Sequence, residues 1–126
     1  MKAIQTKKAP AAIGPYSQGI EAKGRMIFVS GQIPINPETG NIEENTIEGQ
    51  TRQSLTNIKN ILAEAGATMA NVVKTTVLLA DIADFAAMNG VYAEFFTGTC
   101  PARAAFQVAA IPKNAKVEIE AIAVVE

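Results

Sequence analysis

Cys100-Pro-Ala-Arg-Ala-Ala-Phe-Gln-Val-Ala-Ala-Ile-Pro-Lys-Asn-Ala-Lys-Val-Glu-Ile-Glu-Ala-Ile-Ala-Val-Val125 predicts two strands around a Pro-Lys-Asn turn. From Val117 onward the residues alternate. Val117, Ile119, Ala121, Ala123 and Val125 fall on one face, and Glu118, Glu120, Ile122 and Val124 on the other. A face that mixes acids with aliphatics is not a simple solvent face. Arg103 opens the preceding strand, just after Pro101. An arginine and two glutamates among small apolar residues mark a candidate chemical site, because charges taken out of water need partners. A plain hairpin with Lys113-Asn114 at its tip would set Arg103 opposite Val124 and Ala109 opposite Glu118. Arg103 and Glu118 would then stand roughly 20 Å apart at the usual rise per residue. They cannot act together in such a hairpin. Either the connection is a crossover, or the two residues meet across a subunit boundary.

The whole chain has 126 residues, which predicts one domain, residues 1–126, with a single core. Its 48% hydrophobic and 18% charged residues place it among globular rather than disordered chains. A net charge of -1, with no cluster of basic residues, argues against a dedicated nucleic-acid surface. No apolar run is long enough to span a bilayer, and no signal peptide is expected. The single cysteine, Cys100, leaves no internal disulfide, so the cytoplasm is the expected location. The absence of histidine removes Ser-His-Asp and Cys-His catalysis and every His-ligated metal site. One cysteine removes thiolate zinc and iron-sulfur sites, and neither a Walker lysine loop nor G-x-G-x-x-G is present. A catalyst built from this chain must use carboxylates, Arg, Tyr, Ser, Thr, backbone amides and water.

Upstream, Lys2 to Thr6 can form a short strand, and Lys8 to Gly19, with two prolines and two glycines, begins as an irregular loop. Tyr16 and Ser17 leave this loop near the start of a strand. Met26-Ile-Phe-Val-Ser30 is an apolar strand entered through Lys23-Gly24-Arg25, and it runs into Gly31. Glycine there either lets the backbone come close to a ligand, with its N–H free to point at an anion, or marks a bulge where the strand ends. Asn36 to Gly40 reads as a surface turn. A helix is expected from Thr46 to Ala65, with Asn45 and Glu48 as capping box and Gly66 as stop. Ile47, Thr51, Leu55, Ile58, Leu62 and Ala65 form its core stripe, and Arg52, Gln53 and Lys59 its wet face. Asn71 to Ala80 is the strongest strand and suits a central position. Asp81 can cap a second helix over Ile82 to Phe96, whose stripe is Phe85, Met88, Tyr92 and Phe95, with Asn89 beside it. The expected fold class is α+β, with two helices packed on one face of a mixed sheet. The other sheet face is left without cover, which points to homo-oligomerisation.

Several motifs together carry a family resemblance: Ala11-Ala-Ile-Gly-Pro-Tyr-Ser-Gln-Gly19, Val29-Ser-Gly-Gln-Ile-Pro34, Gln53-Ser-Leu-Thr-Asn57, Val73-Lys-Thr-Thr-Val77, Pro101-Ala-Arg103 and Val117-Glu-Ile-Glu-Ala-Ile-Ala123. In order and over essentially the whole chain, they resemble the reactive intermediate deaminase (Rid, or YjgF) family. The resemblance implies a chorismate-mutase-like protomer, a homotrimer with intersubunit clefts, and no cofactor or metal. It implies hydrolysis of 2-imino acids, such as 2-iminobutanoate and 2-iminopropanoate, released by pyridoxal-phosphate enzymes, to 2-oxo acids and ammonia. On this resemblance Arg103 anchors the substrate carboxylate in a two-point fork and takes part in catalysis, and Glu118 orients or deprotonates the attacking water. Tyr16, Ser30, Gly31 and Asn89 complete the substrate-binding set, with Asn89 reaching in from a neighbouring subunit. Alternation puts Glu118 and Glu120 on one face, so the choice of Glu118 comes from its place in the motif.

The chain departs from the family's frequent Arg-Ser-Cys at the anchor, where it has Ala104 and Ala105, and Phe106 and Gln107 replace an aliphatic and a glutamate. Chemistry that needed a thiol at that place is not open to it. Imine hydrolysis by a bound water needs none. The alternative readings are a non-catalytic trimer that binds small carboxylates such as 2-oxo acids, and an endoribonuclease or translation inhibitor.

Overall fold

The chain runs β1 (Lys2–Ile4), β2 (Gly19–Glu21), β3 (Arg25–Gln32), α1 (Ile47–Glu64), β4 (Val72–Leu79), α2 (Phe85–Phe95), β5 (Ala102–Gln107) and β6 (Val117–Val125) in the computed structural model, which describes residues 1–126. β1 and β2 pair as a small antiparallel ribbon, and the other four strands form one sheet in the order β3-β6-β4-β5. β6 is antiparallel to both of its neighbours, whereas β4 and β5 are parallel. The alternative left open by the terminal stretch is thereby settled for the protomer: the connection is a crossover. Pro112–Asn114 makes a tight turn with Lys113 and Asn114 at φ 59° and 55°, but β4 lies between the strands on either side of it.

The helices cover one face of the sheet. α1 buries Ile47, Leu55, Ile58 and Leu62 at helical spacing, against Val29, Val72, Val77, Ile119 and Ala121 of the strands. Its cap differs from the expected Asn45-Glu48 box. Thr46 accepts the Gly49 N–H at 3.0 Å, so the helix starts one residue later. Asn45 and Thr46 are both good caps, and only the backbone's turn into the helix chooses between them. Gly66, at φ 75°, ends the helix as expected, and Arg25 donates to the exposed Ala65 carbonyl at 3.0 Å. The second helix also begins later than expected. Ile82–Asp84 winds more tightly, as a 3-10 turn, before α2 starts at Phe85. Asp81 accepts the Ala83 N–H and the Gln107 carboxamide accepts the Ile82 N–H, each at 2.9 Å, so β5 helps to hold the start of this helix.

The opposite sheet face has no cover. Met26, Phe28 and Phe106 stand 55%, 69% and 47% exposed, beside Leu78 and Ile122 in the strand register. No helix is long and apolar enough to cross a membrane.

Candidate active site

Arg103 points to the helix side of the sheet. Its register partner on β4 is Thr75, whose buried side chain faces α2. Phe85, Asn89 and Tyr92 recur at i, i+4 and i+7 on α2, so they form one stripe over the guanidinium. The Arg103 Cζ lies 4.8 Å from the Tyr92 ring centroid, 5.5 Å from Phe85 and 5.3 Å from Tyr16, within cation–π range of all three. Arg103 Nη1 donates to Asn89 Oδ1 at 2.7 Å. The resemblance brings Asn89 in from a neighbouring subunit; its carboxamide here is engaged with the arginine of its own chain. Tyr16 is placed by the loop before β2. Ser17 N–H donates to the Pro101 carbonyl at 3.1 Å, and the Ser17 hydroxyl donates to the carbonyl of Cys100. Both bonds tie the loop to the residues that lead into β5. Gln18 braces the same loop: its carboxamide accepts the Thr6 N–H and donates to the Thr6, Ala9 and Pro10 carbonyls.

This cation lacks a counter-charge. The ion pairs of the protomer join the Met1 ammonium to Glu126 and Arg52 to Glu94, and neither involves Arg103. Burial pulls the Arg103 pKa below an arginine's ordinary value, with Tyr92 and Tyr16 acting in the opposite sense. A half-buried guanidinium with one edge on a neutral amide is suited to take an anion on its free edge, where two parallel N–H groups match a carboxylate.

Glu118 is on the other side of the sheet. Val117 and Ile119 are buried in the core, so Glu118 between them projects from the open face, in register with Leu78. β3 bulges where it passes this residue. Val29 pairs with Ala121 and Gln32 with Ile119, which leaves Ser30 and Gly31 out of the register. Gly31 lies against the carboxylate: a Cβ there would overlap Glu118 Oε2 and stand 3.0 Å from Cδ. The bulge offered as one reading of Gly31 is present, and the side chain that its bare backbone admits is Glu118 of the same chain. Ser30, Gly31 and Glu118 form one group, and Arg103, Asn89 and Tyr16 a second, on opposite faces.

Two amide networks on α1 hold the Glu118 group. Gln50, 5% exposed, accepts the Lys116 N–H at 2.8 Å and donates to the Glu44 carbonyl at 3.0 Å, fixing the chain two residues before Glu118. Gln53, expected on the wet face, is half-buried; it donates to Asn57 Oδ1 at 2.8 Å, and Asn57 donates to the Ile35 carbonyl at 3.0 Å. That bond holds the segment that follows Gly31. Sequence reasoning missed both roles, although Gln50, three residues after Ile47 and next to Thr51 of the α1 stripe, was a usable signal. It also read Tyr92 as plain core, whereas the ring carries Arg103. No three His, Cys, Asp or Glu side chains converge as metal ligands.

Comparison with known proteins gives this arrangement a family. The model for the family described as Endoribonuclease L-PSP matches residues 6–125. The chain belongs to this family. A 2-iminobutanoate/2-iminopropanoate deaminase of Bos taurus is 54% identical over 123 residues, covering 98% of this chain and 89% of the relative. The protein of that name in Escherichia coli K12 is 52% identical, covering 98% and 97%. Among solved L-PSP-like structures, the YjgF gene product of E. coli superposes with a TM-score of 0.78 at 50% identity, and E. coli TdcF with bound serine with 0.77 at 46%, each covering 100% of both chains. Within the L-PSP fold, the departures near the anchor divide by face. Ala105 shares Arg103's side and packs on the core, while Ala104 and Phe106 belong to the open face.

Proposed function

We propose that the protein is a hydrolase of C=N bonds that converts 2-imino acids, such as 2-iminobutanoate and 2-iminopropanoate, to 2-oxo acids and ammonia, as a cytoplasmic homotrimer. The observation that carries this reading is Arg103, a half-buried cation with an aromatic surround and no acidic partner in its own chain. The relatives named for this activity support it. The uncovered apolar sheet face supports assembly, and assembly answers the separation of the two residue groups. A neighbour that docks on the open face can bring its own Arg103 to Glu118.

In such a cleft the Arg103 fork holds the substrate carboxylate, and Tyr16 and Asn89 bound the same half. Ser30 and the Gly31 N–H offer further donors from the other half. The protonated imine is already electrophilic at carbon, so catalysis needs a placed water. Glu118 accepts a proton from that water as its oxygen bonds to the imine carbon, giving a carbinolamine. The carboxyl then returns the proton to nitrogen; as the C–N bond breaks and the C=O bond forms, the Glu118 carboxylate takes the carbinolamine's hydroxyl proton and passes it to the departing ammonia, which leaves as ammonium beside the 2-oxo acid. The overall balance is one protonated imine and one water to one 2-oxo acid and one ammonium. A non-catalytic trimer binding 2-oxo acids would use the Arg103 half alone, and the two readings differ in what Glu118 does.

The test is a threonine dehydratase reaction on threonine or serine with semicarbazide trapping the free imine. Wild-type protein is expected to lower the trapped product. Arg103→Ala should abolish the effect and Glu118→Gln reduce it at least about a hundredfold, the usual scale for a general base. Trapping unchanged by folded, oligomeric wild-type protein would overturn deamination of these substrates. A Glu118→Gln protein as active as wild type would overturn its catalytic role.

A further inference from the structure

Tyr92 has a second attachment that the reaction does not use. Its hydroxyl meets Thr75 Oγ1 at 2.7 Å, and both residues are buried, at 0% and 1% exposure. Thr75 is also the register partner of Arg103 across the β4–β5 ladder. The residue beside Arg103 in the sheet therefore fixes the ring against which the Arg103 guanidinium lies, at the shortest of its three aromatic distances. A phenylalanine would supply the same apolar area. A phenol at a site without water is costly unless its hydroxyl is bonded, and here a single threonine meets that need. Asn89, one turn earlier on α2, takes Nη1 of the same guanidinium. Ring and amide therefore restrain the arginine from one helix, and the ring is pinned from the strand.

We infer that the Thr75–Tyr92 pair is a positioning device for the carboxylate anchor, setting the plane of the Arg103 guanidinium so that Nη1 stays on Asn89 and the remaining edge is presented to a ligand. The inference deepens the proposed function and rests on Arg103 as the anchor. Tyr92 and Thr75 touch no reacting atom on this assignment; they act through Arg103. The bound free energy of a carboxylate then depends on a hydroxyl pair buried behind the arginine, because an arginine that must be reoriented on binding loses part of its advantage as a pre-set fork.

The experiment compares Tyr92→Phe, Thr75→Val and the double variant as full-length protein. The double variant removes both partners and leaves no buried hydroxyl unsatisfied, so it is the variant expected to stay folded with a melting temperature near wild type. One arm titrates 2-oxobutanoate, the stable product analogue of the imine, by calorimetry. The double variant is expected to bind about fivefold to tenfold more weakly, within the range of coupling seen in shared networks. The second arm reads the Arg103 Nε–H resonance by NMR, assigned through Arg103→Lys. Three rings at the observed distances displace it in the wild type, and it should move toward the free-arginine position in the double variant. A folded double variant with an unchanged Nε–H resonance, or with 2-oxobutanoate affinity within twofold of wild type, overturns the inference. If wild type shows no Arg103-dependent binding of 2-oxobutanoate while the resonance moves as expected, the proposed function fails and the positioning of the guanidinium stands.

Discussion

Arg103 and Glu118 leave the same sheet on opposite faces. They stand on strands separated by β4, the first against α2 and the second on the open side beside Gly31. Each is well placed for one half of an imine hydrolysis, and neither can serve the other within one chain. The proposed site therefore requires two protomers, with an arginine from one and a glutamate from the next.

Mixing tests this division directly. Arg103→Ala and Glu118→Gln proteins should each be inactive when alone. Unfolded together in equal amounts and reassembled, they should regain about a quarter of wild-type activity, because that share of clefts in a closed ring pairs an intact arginine with an intact glutamate. Trapping assays on the mixture measure it. Recovery no greater than the sum of the parents would show that both groups act from one chain.

The two glycines nearest the candidate groups should respond differently to alanine. At Gly14 a Cβ would lie 3.6 Å from the Tyr16 ring and 3.7 Å from Arg103 Nη2, ordinary contacts, so Gly14→Ala should keep activity within about twofold. At Gly31 the same methyl overlaps the Glu118 carboxylate. The side chain can swing away, so Gly31→Ala should fold, but with the carboxylate displaced the rate should fall about tenfold or more. Initial rates alongside thermal melts separate the two effects, and equal rates for the pair would remove the argument from close approach.

Alkaline titration should reveal Tyr92. Burial pushes its pKa from 10.0 up to about 12, with the Thr75 bond and the Arg103 charge acting in the opposite direction. A phenol whose folded-state pKa is raised contributes stability that is complete below pH 10 and is lost as the pH rises toward 12, because the unfolded chain gives up the proton more readily. At about 1.4 kcal/mol per unit, the loss reaches about 2 kcal/mol by pH 12 and levels off just under about 3 kcal/mol above it. Urea midpoints measured from pH 8 to 12 should show this slope in wild type and lack it in Tyr92→Phe. Parallel slopes in the two proteins would place the titration elsewhere.

The open sheet face supplies the fourth expectation. Phe28, 69% exposed on the edge strand β3 beside Ile122, should tolerate a carboxylate in an isolated protomer but not against an apolar neighbour, where the charge would be stripped of water. Phe28→Glu is expected to keep its far-UV circular dichroism and to sediment as a monomer without deaminase activity. A Phe28→Glu protein that still assembles would move the interface to another surface.

The alternating run from Val117 to Val125, the branched residues of β4 and the α1 stripe were readable because burial on one side imposes a period on the sequence. What a period cannot give is a strand's partner. Nothing in residues 100–125 reveals that β4 separates β5 from β6, so the facing of Arg103 against Glu118 stayed open until the register was known. The candidate groups were partly readable in the same way. Asn89 could be read only as a polar residue beside the stripe of Phe85, Met88, Tyr92 and Phe95; that it joins Phe85 and Tyr92 over Arg103 is fixed by packing. The α1 cap was missed because Asn45 and Thr46 each offer an oxygen able to cap the helix, and the residues alone do not choose between them.

On the proposed reading, the division of charge between two faces also governs when a chain becomes reactive. A newly made copy can complete its core, seat Arg103 on Asn89 and set Glu118 beside Gly31 while still alone. Such a copy holds both reacting groups yet lacks a complete site. If the cleft forms between copies, activity follows assembly, and dilution alone would lower it without cleavage or modification.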